Sequence, residues 1–187
     1  VRLGAWIPSF EQAGKLLAAT LRVNVSEAMM RRQTEAAGAA YETVQGQEVE
    51  QIEQELPPCP GGAEKLQVSA DGAMVPLVGG EWAEVKTVVI GEIREAVGRD
   101  GEKVVRTENN SYFSRMIEAR PLNRLALGEI HRRGVESALL IAAPADGAEW
   151  IQSLLDFHCP EAIRILDFPH AAERISGVGQ AIFGQGE

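Results

Sequence analysis

The chain has 187 residues, enough for one ordinary domain or for a domain with a smaller appendage. Its 45% hydrophobic and 24% charged residues are typical of a globular protein with a sizeable core, and no apolar stretch approaches the length of a bilayer span. The formal net charge of −9 argues against general electrostatic binding of nucleic acid, although a local basic patch can still contact it. The N-terminus lacks the layout of a signal peptide, so we expect a cytoplasmic protein without a membrane partner.

The first part of the chain is predicted to be helical. Apolar residues recur at spacings of three and four between Phe10 and Leu21, which is the stripe of an amphipathic helix. Residues 23–25 interrupt this pattern, and Ser26 is placed to cap a second helix that runs towards Leu56. A helix, a short turn and a capped helix form the outline of a helix-turn-helix.

Three arginines, Arg22, Arg31 and Arg32, cluster around this predicted turn. In a DNA-contacting helix-turn-helix they would point at phosphates or base edges. In an ordinary helical hairpin, used for packing or dimerisation, they would be solvated surface. The acidic residues at 48–55 would repel a duplex, so a DNA contact in this region must lie near the turn.

The segment Pro57-Pro58-Cys59-Pro60-Gly61-Gly62 ends the second helix, because proline lacks the amide donor and glycine frees the backbone. It divides the chain into a helical, helix-turn-helix-like region at 1–56, a Pro/Gly linker at 57–64 and a further domain at 65–187.

Beyond the linker, the periodicity predicts strands and then an alternation of helices and strands. The predicted strands lie at 66–69, 74–77, 81–93, 104–105 and 112–114. The alternating part consists of a helix at 121–134, a buried strand at 138–143, a helix at 149–158, a strand at 163–168 and a helix at 171–183. This order predicts an α/β (α+β mixed) fold, with a mixed sheet and flanking helices.

The tripeptide Asp-Gly-Ala occurs twice, starting at Asp71 and at Asp146. An Asp-Gly pair is most often a tight turn, and Asp100-Gly101 between two strand-like runs is interpreted as one. Asp71 differs because apolar residues flank it, which predicts an interior strand position where a carboxylate needs a partner or a metal. Asp146 follows the carboxyl end of a buried strand, where α/β proteins place their ligands. If the two strands are neighbours, the carboxylates can hold a divalent metal ion together.

Asp167 and His170 follow the last predicted strand. His170 can support the metal-site carboxylates, contact a phosphate or orient a nucleophile. It can equally be a histidine at a helix start, hydrogen-bonded to Asp167 and of structural value only.

Other polar residues carry weaker signals. Cys59 and Cys159 lie far apart, and neither has a Cys or His partner at metal spacing, so we expect neither a disulfide nor a zinc site. Glu84 and Lys86 are interpreted as a surface pair, and His131 is expected to be exposed.

Four segments resemble transposases of bacterial insertion sequences, namely VSADGAMVPL at 68–77, GEWAEVKT at 80–87, DGAEWI at 146–151 and ILDFPHAAE at 165–173. The likeness is to the Kra-type insertion-sequence group, which is distantly similar to the Mutator-like enzymes, and it covers nearly the whole chain. It implies a ribonuclease-H-like fold with an Asp-Asp-Glu metal triad, of which Asp71 and Asp146 would be the first two members. Asp167 and His170 would match the family's motif of Cys or Asp, two residues, then His.

The resemblance implies metal-dependent hydrolysis of a phosphodiester at the element's end, followed by attack of the freed 3′-hydroxyl on target DNA. Mg²⁺ or Mn²⁺ would be the cofactor, and DNA and a second copy of the chain would be partners. The family's third acidic residue is expected on a later helix, whereas Glu173 is too close to His170 and Glu187 follows a Gly-Gln-Gly tail. We therefore expect the N-terminal part of a transposase, inactive by itself in strand transfer. The alternatives are a non-catalytic module that binds DNA or a full-length transposase, and a decayed gene product.

Overall fold

The computed structural model describes residues 1–77 and 79–184, with the side chains of all of these except Arg174. The chain divides into two compact units, Val1–Glu55 and Leu56–Glu187. Among the described residues, no helix combines the length and the apolar character that crossing a membrane requires.

The first unit is built from helices α1 (Arg2–Trp6), α2 (Phe10–Leu21) and α3 (Glu27–Glu55). Side-chain caps define where α2 and α3 begin: the Ser9 hydroxyl accepts from the Gln12 amide at 3.4 Å, and the Ser26 hydroxyl accepts from the Met29 amide at 3.3 Å. The second contact confirms the cap that the sequence predicts. Helix α1 was not predicted, since one turn and a half carries too little periodicity to be recognised.

Two glycines allow the helices of the first unit to approach closely. A Cβ on Gly4 would lie 2.2 Å from Thr34 Oγ1, and a Cβ on Gly14 would lie 2.9 Å from the Val25 carbonyl oxygen. Ala13 and Met30 are buried beside them. The short turn between α2 and α3 is therefore fixed by backbone contact as well as by apolar burial.

The described part of the second unit forms a five-stranded mixed sheet with flanking helices, which confirms the predicted α/β class. Its strands are β1 (Lys65–Pro76), β2 (Trp82–Val97), β3 (Lys103–Arg115), β4 (Leu140–Ala145) and β5 (Ile163–Leu166), in the spatial order β3-β2-β1-β4-β5. β1, β2 and β3 are antiparallel, whereas β4 runs parallel to β1 and β5 runs parallel to β4. Parallel neighbours need crossover connections, and helices supply them here.

The helices of this unit are α4 (Ala119–Arg132), α5 (Glu149–His158) and α6 (Phe168–Phe183), with a 3₁₀ turn at Val135–Ser137. The core contains alternating residues of the central strands together with the apolar stripes of α4 and α5: Leu66, Val68, Val88, Ile90, Leu122, Ile130, Ile151, Leu154 and Leu155. Full burial of each such side chain stabilises the fold by about 1.5–3 kcal/mol, so this packing fixes where the strand ends lie.

Two strand predictions are corrected by the structure. β1 runs without a break through the first Asp-Gly-Ala, since residues on both sides of Gly72 pair with β2. Residues 104–105 and 112–114 belong to the single strand β3, rather than to two strands. In both places pairing with β2 overrides the local turn tendency of Gly and Asn residues.

Candidate functional site

Asp71 lies on β1, and Asp146 directly follows β4, the parallel neighbour of β1. Gln67 of β1 lies opposite Ala142 of β4. Asp71 follows Gln67 by the same number of residues as Asp146 follows Ala142. The two copies of the tripeptide thus lie at equal sequence distances beyond the paired part of β1 and β4.

Asp167 extends this row by one strand. Ala145 of β4 lies opposite Leu166 of β5, and the next residues in the two segments are Asp146 and Asp167. The Asp167 amide donates to the Ala145 carbonyl oxygen at 2.9 Å, which holds the beginning of α6 against the end of β4. Asp146 and Asp167 thus directly follow the ends of two adjacent strands, whereas Asp71 lies within β1.

A cavity of about 210 Å³ is lined by all three aspartates. Its polar lining consists of Ser69, Asp71, Thr87, Asp146, Asp167 and His170. The cavity has room for several water molecules, given that one water needs roughly 10–15 Å³ of such volume. Ends of parallel strands are the usual ligand sites of α/β sheets. Asp71, Asp146 and His170 all line this one cavity.

The two aspartates of the repeat differ in their surroundings. Asp71 is exposed, so the expected interior position is wrong: at this level of β1 the side chain faces the cavity opening rather than the core. Its Oδ1 accepts from the Gly72 amide at 2.7 Å. Asp146 is half-buried, and its Oδ1 accepts from the Ala148 amide at 2.8 Å, an Asx turn that orients the carboxylate. The left-handed backbone of Gly147, with φ of 86°, makes that turn possible.

His170 donates through Nδ1 to Asp167 Oδ2 at 2.8 Å across the first turn of α6. This hydrogen bond raises the pKa of the His170 imidazole, partial burial opposes the rise, and the negative charges of Asp167, Asp146 and Asp71 add to it. The imidazolium form is therefore favoured beside the carboxylates. All three aspartates lie close enough to His170 to act on its charge.

Arg22, Arg31 and Arg32 belong to the first unit and are exposed there. Arg22 ends α2 in a left-handed conformation, with φ of 56°. Arg31 lies on α3 with its Nε 3.9 Å from Glu35 Oε1, a solvated pair of small energetic value. The three residues therefore stand around the α2–α3 turn, as the sequence predicts.

A second group of potential metal ligands lies elsewhere in the second unit. Among the described residues, Cys59, His131 and Glu136 are the one group of three whose donor atoms all lie within 4.8 Å of one another. Burial raises the pKa of the Cys59 thiol, and the adjacent Glu136 carboxylate raises it further. His131 is not exposed as expected, since only 12% of its side chain is accessible. Local cysteine spacing could not reveal this group, because Cys59 is far in sequence from His131 and Glu136.

No family model, curated protein or solved structure matches the chain. The function is therefore inferred from the placement of these residues and from the resemblance of the sequence motifs.

Proposed function

We propose that this chain is part of an insertion-sequence transposase with a ribonuclease-H-like domain, which acts on DNA by metal-dependent phosphodiester hydrolysis and strand transfer. The observation that carries the proposal is that Asp71 of β1 and Asp146, directly after the neighbouring parallel strand β4, line one cavity. Two copies of one tripeptide are brought together there from distant parts of the chain. The antiparallel run followed by two helical crossovers also agrees with the fold that the resemblance implies.

The donor set fits the implied metal. Asp71 and Asp146 offer hard carboxylate oxygens, and Mg²⁺ is commonly held by one or two carboxylates, with water and substrate phosphates completing its shell. Asp71 and Asp146 would be the residues that hold Mg²⁺ or Mn²⁺ here. When bound, such ions activate the attacking oxygen of a phosphoryl transfer and stabilise the leaving oxygen.

The carboxylates, His170 and Asp167 would each have a separate role towards the substrate. The carboxylates alone would repel a DNA phosphate, so they would select for a substrate that arrives with cations. The pKa of His170 is raised, chiefly by its hydrogen bond to Asp167, and in its imidazolium form it would contact a phosphate oxygen. Asp167 would fix the orientation of that imidazole through its hydrogen bond to Nδ1. His170 would thus bind substrate, and Asp167 would be a positioning residue.

The first unit would supply a DNA contact. Its helices α2 and α3 would act as a helix-turn-helix in which Arg22, Arg31 and Arg32 approach phosphates or base edges. The exposure of these arginines beside the turn equally favours the second candidate function, a non-catalytic DNA-binding module. The two candidates differ in their dependence on Asp71, which only the catalytic proposal requires.

Manganese binding to the full chain tests the proposal, because paramagnetic Mn²⁺ broadens the NMR signals of nearby nuclei. We expect broadening of the His170 ring and of the 145–148 amides at substoichiometric Mn²⁺. Asp71→Asn and Asp146→Asn should each remove it, whereas Asp100→Asn, in the Asp-Gly turn of the same chain, should not. Binding is the suitable readout since it reports directly on Asp71 and Asp146. Broadening that survives Asp71→Asn unchanged, or none at all, would contradict the proposal.

A further inference from the structure

We propose that Cys59, His131 and Glu136 form a second metal site, which takes a zinc-class transition metal and is chemically distinct from the carboxylate cavity. Cys59 lies in the segment before β1, His131 in the last turn of α4 and Glu136 in the 3₁₀ turn. Their donor atoms lie within 4.8 Å of one another.

The donor types favour zinc over magnesium. A thiolate, an imidazole and a carboxylate are three of the ligand types that Zn²⁺ takes, whereas Mg²⁺ prefers oxygen alone. At Zn–ligand distances of roughly 2.0–2.3 Å, donor atoms of a tetrahedral site lie roughly 3.3–3.8 Å apart. His131 Nδ1 and Glu136 Oε2 are already 3.3 Å apart. Cys59 Sγ lies within 4.8 Å of both, so it needs only a small shift to close the shell around an ion.

A close contact between two backbone segments holds Cys59 beside the end of α4. A Cβ on Gly134 would lie 2.6 Å from the Pro60 carbonyl oxygen, and a Cβ on Gly62 would lie 2.7 Å from the Arg133 carbonyl oxygen. Real Cβ atoms do not approach this closely, so both positions need glycine. Ser137 Oγ adds a hydrogen bond to the Pro60 carbonyl oxygen at 3.4 Å. The ligands are thus brought together by a contact that exists without the metal.

The partial burial of the group suits a bound ion. Cys59 and His131 are half-buried, and Glu136 is exposed, so an ion can enter from solvent and keep one position for water. Such an ion would tie the Pro/Gly segment to α4 and so stabilise the second unit, because binding to the folded state alone favours folding. Cys159, the other cysteine, is buried in the core instead.

Cobalt titration of the reduced full chain tests the site, because Co²⁺ bound to a thiolate gives a charge-transfer absorption that carboxylates do not give. We expect this absorption to saturate at one Co²⁺ per chain and to disappear on addition of Zn²⁺. Cys59→Ser should abolish it, and His131→Gln should weaken Co²⁺ binding by about tenfold or more. Cys159→Ser is the matched control and should leave the absorption intact.

The test separates this site from the proposed catalytic one. Asp71→Asn should leave the cobalt absorption unchanged, so either site can fail without the other. The absence of a thiolate absorption in the wild-type chain, or its persistence in Cys59→Ser, would overturn the proposal. If Cys59→Ser does not fold, unchanged Co²⁺ affinity in His131→Gln would overturn it instead.

Discussion

Asp167 and His170 are joined by a hydrogen bond of 2.8 Å that spans the first turn of α6 and faces the same cavity as Asp71 and Asp146. The pair therefore places the Asp-x-x-His motif of the sequence at the cavity that Asp71 and Asp146 line. The effect of the carboxylate charges can be measured without any ligand, since all three aspartates raise the pKa of the His170 imidazole.

The His170 imidazole should titrate above its ordinary pKa of 6.5, chiefly because Asp167 accepts its hydrogen bond. Asp167→Asn should lower this pKa, as followed by ring-proton chemical shifts. A raised pKa means that the stabilisation from the pair is fully present below pH 6.5 and is lost as pH rises through the native value. Equal His170 titration curves in the wild-type chain and in Asp167→Asn would show that the hydrogen bond does not form in solution.

The pKa of His158 should be shifted in the opposite direction to that of His170. Burial lowers its pKa, although its Nε2 donates to the Asn123 carbonyl oxygen at 2.7 Å. The unfolded chain then takes up this proton more readily than the native chain, so stability falls as pH drops below 6.5 towards the native pKa. Urea unfolding between pH 7 and pH 5 should show this loss in the wild-type chain and in His170→Gln, but less of it in His158→Gln. An identical loss in His158→Gln would assign it to other groups.

Gly134→Ala should destabilise the chain more than Gly101→Ala. Both glycines have a left-handed backbone, with φ of 65° and 78°, so each substitution costs about 1–2 kcal/mol in backbone strain. Only at Gly134 does the added Cβ also meet a backbone atom, the Pro60 carbonyl oxygen, whereas open space surrounds Gly101. Urea midpoints of the two variants at equal m-values measure the difference. Equal midpoints would mean that the contact between 60–62 and the end of α4 is loose.

Arg31→Ala and Arg32→Ala should weaken DNA binding if the α2–α3 turn contacts a duplex. Each phosphate contact removed should lower the slope of log affinity against log salt by about one unit. Lys15→Ala is the control, because Lys15 on α2 is paired with Glu11 at 2.6 Å. Fluorescence anisotropy with duplex DNA at several salt concentrations measures both quantities. An equal loss in all three variants would indicate non-specific charge attraction rather than a contact at the turn.

The sequence predicts those parts of the fold that depend on local patterns. Residue spacing predicts the apolar stripe of α2, the Ser26 cap and the alternation of α5 with its flanking strands. The structure contains all three features. That Asp71 and Asp146 face one cavity could be predicted only on the condition that β1 and β4 are neighbours. That neighbourhood comes from burying Leu66 and Val68 against the crossover helices, a tertiary property.

Properties that depend on distant segments could not be predicted. The Cys59 group combines a linker, a helix end and a turn, and nothing in the spacing of these residues marks them as partners. Lys86 was expected on the surface, but the exposure of its side chain depends on which residues of α4 and α5 pack over β2. Its side chain is only 10% exposed, so the expected surface pair with Glu84 is corrected to a buried cation with a partly exposed partner.

The surroundings of Lys86 lead to a prediction about stability. Its Nζ lies 2.6 Å from Glu84 Oε2 and 3.3 Å from the Ile117 carbonyl oxygen, and it stands 5.9 Å from the centre of the Trp150 ring. Glu84→Ala removes the charged partner and leaves the buried ammonium group with the two weaker contacts. We expect a loss of about 1–3 kcal/mol in the free energy of unfolding, which is the range for an underpaired buried polar group.

Glu95 on the same strand provides the matched control for Glu84. Its carboxylate lies 3.4 Å from Lys65 Nζ, and both of these side chains are more than half exposed. Exposed pairs contribute between zero and about 1 kcal/mol, because water screens the charges and two long side chains must be ordered. Glu95→Ala should therefore change the urea midpoint less than Glu84→Ala does. If the two variants lose equal stability, water reaches Lys86, and the packing of α4 and α5 over β2 does not exclude it.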